Sequence, residues 1–130
     1  MRRGAFILLS ILLVSAPAMA HHSFAAEFDA SKPIKLHGTV TKMEWINPHA
    51  WIHISVKKSD NTVDEWMIEA GSPNTLLRRG FTRDSLKAGE EIVVQGYQSK
   101  DGSLRANGRD VTLPNGQILF LGSSNPEDKK

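Results

Sequence analysis

Between Ile34 and Leu121 the chain is patterned mostly with a period of two, interrupted at short intervals by turn residues. The clearest case is Ala50 to Val56. Ala50, Ile52, Ile54 and Val56 alternate with His49, Trp51, His53 and Ser55, so the pattern predicts a strand with an apolar inner face and a His/Trp outer face. Before it lies Ile34 to Ile46, "IKLHGTVTKMEWI", long for one strand and containing Gly38, which predicts a bend or bulge. Asn47-Pro48 ends that strand as a turn. After "KSDN" at Lys58 to Asn61, a third strand is expected from Thr62 to Ala70, with Asp64, Trp66, Ile68 and Ala70 on one side.

The period then changes. Ser72 is a cap, Pro73 suits the first helical position, "NTLLRR" propagates a helix and Gly80 stops it. A fourth strand is expected over Ile92 to Tyr97, after the turn in "LKAGEE". The Asp-Gly of "KDGS" turns into a fifth over Leu104 to Leu113, and "PNG" turns into a short closing strand, Gln117 to Leu121. The predicted fold is mainly β: a small five- to six-stranded OB-like Greek-key barrel with one short helix between strands 3 and 4. A plain antiparallel sandwich would give that helix no place.

The ends differ in kind from this middle. Residues 1–20 carry a basic start (Arg2, Arg3), an apolar run from Ala5 to Val14 and the small–x–small Ala18-Met19-Ala20, which together read as a cleaved signal peptide. The apolar run is short for a bilayer span and no stop-transfer segment follows, so no stable membrane anchor is expected after cleavage. The start is too short for twin-arginine export, and general secretion to a periplasm is expected. The remaining organisation is a histidine-containing segment at 21–33, the barrel at 34–122 and a polar, proline-broken tail at 123–130, expected to be disordered.

Charge and cysteine content narrow the chemistry. Lys and Arg number 16 against 14 Asp and Glu, and Arg2 and Arg3 of the leader account for the excess. With no clustered positive charge, nucleic acid is not an expected partner. The absence of cysteine removes disulfides, thiolate metal sites and cysteine nucleophiles together. No Gly-rich phosphate loop, G-x-S-x-G elbow or H-E-x-x-H motif occurs, so the case for a hydrolase is weak. The carboxylates Glu65 and Glu69 are too widely spaced to act as a close pair, and Arg78-Arg79 read as cations at a helix C-terminus.

The histidines remain. If cleavage follows Ala20, His21 becomes the first residue, and its α-amine, which titrates near pH ~8, joins its Nδ1 in one chelate ring. His22 stands next to it. One further imidazole would complete a three-nitrogen site, and nitrogen donors without thiolate favour Cu(II), with Ni(II) or Zn(II) behind it. This local motif resembles the histidine brace of copper proteins, including the copper polysaccharide monooxygenases. The outside ligand would come from "NPHAWIH". On a regular strand His49 and His53 would stand about 13 Å apart, at ~3.3 Å per residue, so one rather than both is expected to join. His49, beside the turn, is favoured, and Trp51 shares the face as a shielding or stacking surface. The competing reading of the doublet is a plain polar start, and His37 is expected to be a surface residue.

The segments "HHSFAAEFD", "GTVTKMEWINPHAW", "LLRRGF", "LKAGE", "KDGS" and "VTLPNGQ" follow one another in this order. In this the chain resembles the small exported bacterial proteins grouped as domain-of-unknown-function family 6152. The resemblance implies an exported single β-rich domain and marks the histidine segments as typical of the family, and it implies no activity. The leading expectation is therefore a non-enzymatic periplasmic binding or accessory domain, with an unidentified small ligand or a periplasmic protein as partner and copper at His21 with His49 or His53. A copper oxidase or monooxygenase using the same centre is the enzymatic alternative, and an assembly or partner protein of a larger periplasmic enzyme is the third. A single tyrosine, Tyr97, and the lack of long loops weigh against the enzyme.

Overall fold

In the computed structural model, residues 23–129 are described, and His21 and His22 lie outside them. Strand β1 runs Phe28–Glu44, β2 Trp51–Lys57, β3 Val63–Glu69, β4 Glu91–Ser99, β5 Arg105–Thr112 and β6 Ile118–Phe120. Helix α1 is Phe24–Glu27, α2 is Pro73–Arg78, and a 3-10 turn covers Pro126–Lys129. The fold is mainly β, as the alternation predicts.

The six strands form one sheet in the order β3-β2-β1-β4-β5-β6, and β3 also pairs with β5, which closes a hydrogen-bonded ring of five strands. Every pairing is antiparallel except β3 with β5, where Met67, Ile68 and Glu69 lie parallel to Arg105, Ala106 and Asn107. Strand β1 serves two neighbours. Its first part pairs with β4 as far as Thr39↔Glu91, and from Thr39↔Ser55 it pairs with β2. What requires glycine at position 38 is a close approach: a Cβ there would sit 2.9 Å from the Ser55 carbonyl oxygen, so only glycine lets β2 lie this near. The register slips just beyond, between Val40 and Lys42.

Inside the ring the side chains are apolar. Ile52, Ile54 and Ile68 are wholly buried, and Val40, Trp66, Ile92, Val94, Ala106, Val111 and Leu121 complete the interior. Val56, expected on the same face, is half-buried against this core. Helix α2 contributes Leu76, also wholly buried, and starts where the sequence says it should. The Ser72 side chain accepts from the Thr75 N–H at 3.2 Å, Pro73 occupies the first turn, and Gly80 at φ +80° ends it. Trp45 stacks on Phe81 with centroids 6.3 Å apart, covering that edge of the core. A separate aromatic cluster joins Phe24, Phe28 and Tyr97, with Tyr97 edge-on to Phe24 at 5.4 Å. It pins α1, which is also tied to the β4–β5 hairpin by Lys100 N–H donating to Glu27 O at 2.9 Å.

Two expectations about the ends change. Strand β1 begins at Phe28, inside the segment assigned to 21–33, because the pairing with β4 skips residues between Phe28 and Pro33. Proline cannot donate to a ladder, and that irregularity accommodates it where a regular strand would not. The tail, expected to be disordered at 123–130, instead packs down over 123–129. Ser123 and Asn125 are buried, Asn125 N–H donates to Ser123 Oγ at 3.0 Å, and Tyr97 Oη donates to Asp128 Oδ1 at 3.0 Å. A polar segment can be ordered without apolar residues when buried polar partners await it, and here they do.

Candidate functional site

His49 sits in the bend after the Asn47–Pro48 peptide, which is cis. The backbone just after it is clamped to the end of β3: Ala50 N–H donates to Gly71 O at 3.0 Å and Ala70 N–H to Ala50 O at 2.9 Å. This register sets Trp51 opposite Glu69, with His49 diagonal to it on the same face. His49 Nδ1 accordingly lies 3.5 Å from Glu69 Oε1.

Glu69 is the residue that sequence reasoning missed. Alternation places it on the outer face correctly, yet it is only 5% exposed, because β5 and the tail cover it. Burial pushes its carboxyl pKa above the ordinary range, the neighbouring Glu27 adds to the rise, and His49, Asn107 and Arg105 act against it. Asn107, also buried, is the junction: its Nδ2 donates to Glu69 Oε1 at 3.2 Å and to Ser124 Oγ at 2.9 Å, and its Oδ1 accepts from Ser123 Oγ at 2.8 Å. One amide thus ties the His49–Glu69 pair to the tail. Only the pairing of β3 with β5 brings these residues together, and no local spacing signals it.

His53 goes elsewhere. Its Nε2 is 2.8 Å from Glu44 Oε2, and Glu44 also accepts from Lys42 Nζ at 2.8 Å. The bonds from Lys42 first, and His53 second, hold the Glu44 carboxyl below the usual carboxylate range. The two histidines are therefore engaged by different carboxylates on different strands, β1 and β3. Trp51 lies between them, half-buried, with the Arg105 guanidinium 5.4 Å over its ring. Among the described residues, no group of three or more His, Asp and Glu side chains is placed to hold a metal ion.

Beside His49 a cleft of about 480 Å³ opens between α2 and the tail, lined by Pro48, Arg79, Arg109, Phe120 and Asp128 among others. Its floor is bare backbone where Gly71 and Gly122 cross; a Cβ on Gly122 would meet Gly71 Cα at 3.3 Å. Arg109 is committed within the protein, to Asp110 Oδ2 at 2.8 Å and Gln95 Oε1 at 3.0 Å, and Asp110 first among its neighbours strengthens its hold on the proton. Arg79, read from sequence as a cation at a helix end, does cap α2, and its guanidinium also lies 5.9 Å over the Phe120 ring.

Residues 9–108 match the model of a family of unknown function (DUF6152). The chain belongs to that family. Comparison with curated proteins and with solved structures gave no match. The family match takes in His21, His22, His49, Glu69 and Asn107, and stops short of the Phe120 and Asp128 that close the cleft.

Proposed function

We propose that the protein is an exported periplasmic, non-enzymatic binding or accessory domain that takes copper through the mature N-terminal His21 and through His49. The observation that carries this reading is the His49–Glu69 pair. With Nδ1 turned to Glu69, Nε2 is the ring nitrogen left to ligate, and a carboxylate behind the opposite nitrogen is what fixes ligand histidines in metal sites. His53 has its Nε2 occupied by Glu44, which favours His49 over it. Glu27 is near enough to influence Glu69, and His21 lies a few residues upstream, within roughly 20 Å of extended chain. The α-amine and Nδ1 of His21 with Nε2 of His49 would form a three-nitrogen set suited to Cu(II).

The test is a Cu(II) titration of protein whose N-terminus is verified as His21 by mass spectrometry, alongside protein carrying one extra N-terminal residue and the His49→Ala variant. Both alterations are expected to weaken binding by about tenfold or more, since each removes a donor. Equal affinity with the extended terminus removes the chelate from the proposal, and equal affinity in H49A removes the second ligand.

A further inference from the structure

Strand β6 lies outside the closed ring. It pairs with β5 alone, and among the described residues no other strand joins it. The register fixes which of its backbone groups are used. Leu113 N–H donates to Gln117 O at 2.8 Å and Leu121 N–H to Arg109 O at 2.9 Å, and the same register sets Val111 opposite Leu119. Bonded pairs alternate with unbonded ones in an antiparallel ladder, so Leu119 turns its polar groups to β5. Ile118 and Phe120, opposite Thr112 and Asp110, turn theirs away, and no described residue bonds to them. Two N–H and two C=O groups thus stand open at the spacing of a strand ladder. The side chains of the same two residues are exposed, Ile118 by 60% and Phe120 by 57%. Native edge strands are usually guarded by charge, proline or a covering element. Residues 113–122 carry no charge, and their one proline, Pro114, lies in the turn before β6.

The charge beside this edge is positive. Arg79 lies 5.9 Å over the Phe120 ring, and neither it nor Arg78 pairs with a described carboxylate. The nearby acids are engaged: Asp110 is bonded by Arg109 at 2.8 Å, and Asp128 accepts from Tyr97 Oη at 3.0 Å. Phe120 and Arg79 both line the cleft of about 480 Å³, so this end of the strand opens onto space. A second copy of β6 paired on the edge would bring another Arg78 and Arg79 and no free acid. An acidic segment would meet them with opposite charge.

From the open ladder, its apolar side chains and the arginine at its end, we infer that β6 is completed by an extended segment of a partner protein, apolar at alternate positions and with an acidic residue beside Arg79. The backbone of that segment supplies the missing hydrogen bonds, its apolar side chains cover Ile118 and Phe120, and its carboxylate takes the Arg79 guanidinium. The inference goes beyond copper binding and does not rest on it, since neither His21 nor His49 contributes a group to the edge.

The probes are two end-blocked peptides, Glu-Thr-Val-Thr-Val and Val-Thr-Val-Thr-Glu, which place the acid at either end of one face, and their Gln counterparts. Each is titrated into metal-free protein and followed by amide chemical shifts and amide exchange. One Glu peptide is expected to shift the β6 signals saturably and to slow exchange at Ile118 and Phe120, with Leu119, already bonded to β5, unchanged. Its Gln counterpart is expected to bind about two- to fivefold more weakly. Arg79→Gln should weaken the Glu peptide by the same factor and leave the Gln peptide as it was. Ile118→Lys, a charge on an exposed edge position, should abolish binding of both while the spectrum of the ring stays that of the parent. No protection of Ile118 and Phe120 with either Glu peptide at millimolar concentration overturns strand addition. Equal binding of Glu and Gln peptides overturns the acidic partner. Protection of the two amides without peptide, together with a dimer mass in sedimentation, overturns the partner in favour of a second copy. Loss of copper binding in the extended-terminus protein would leave these results untouched, so the two readings fail separately.

Discussion

The interior of the strand ring and its end beneath the tail are both buried, and they are built on opposite chemistry. In the interior, Ile52, Ile54, Ile68 and their neighbours bury apolar surface without direction, at roughly 25 cal/mol per Å². At the end, Glu69, Asn107, Ser123 and Asn125 are buried as well, and each is held by a directed hydrogen bond to another. Apolar packing tolerates exchange of one side chain for another of similar size. A polar junction does not, because removing one member leaves its partners buried and unsatisfied. The first region therefore secures the fold and the second secures one arrangement of the site.

The largest break in this comparison comes from the interior. Ile68→Ala is expected to cost about 2–5 kcal/mol in denaturant unfolding, with the slope unchanged, since it leaves a cavity at the β3–β5 join. A loss below ~1 kcal/mol would show that the ring interior is not the tightly packed core described here. Asn107→Ala comes next, at about 1–3 kcal/mol, because Glu69 and Ser123 lose their partner. Its signature is local: amide protection over 123–129 should fall toward the exposed rate while protection in β1, β2 and β4 falls only with global stability. Uniform loss across the chain would remove Asn107 from its place as the junction.

The smallest effect tests what burial adds to such a junction. Asp101, fully exposed in the β4–β5 hairpin, is bonded by the Ser99 and Ser103 hydroxyl and backbone groups, which pull its pKa from 3.8 to about 2. A lowered carboxyl pKa stabilises the folded chain when ionised. That contribution is present above pH 3.8 and is lost as the pH falls toward about 2. Asp101→Asn should thus be slightly less stable than the parent at neutral pH and converge with it in acid. A gap that stays constant from neutral pH to pH 2 would mean that the carboxylate charge does not matter there.

Much of the fold was legible because it depends on near neighbours. Alternation at Ala50 to Val56 placed Ile52 and Ile54 inward, Ser72-Pro73 and Gly80 marked α2, and Asp101-Gly102 marked a hairpin. Reading failed where a residue's environment comes from far along the chain. Pro33 concealed the start of β1, since the irregular pairing that tolerates it is made by β4. The tail looked like a disordered polar end because its partner, Asn107, lies 16 residues upstream of Ser123. At the site, the His/Trp face and the separation of His49 from His53 followed from strand geometry. Glu69 did not, because nothing local distinguishes a carboxylate on an open face from one about to be covered.

The parallel join of β3 to β5 is three residue pairs long, and Glu69 and Asn107 form its last pair, 38 residues apart in sequence. That separation imposes an order in time. A chain growing or emerging from its N-terminus can zip β1, β2 and β3 together as neighbouring hairpins, while Glu69 waits for a partner not yet available. His49 can be correctly placed long before the carboxylate behind it is fixed. Competence at this end of the molecule is therefore a property of the finished chain, and a ligand that requires it also reports that the chain is finished.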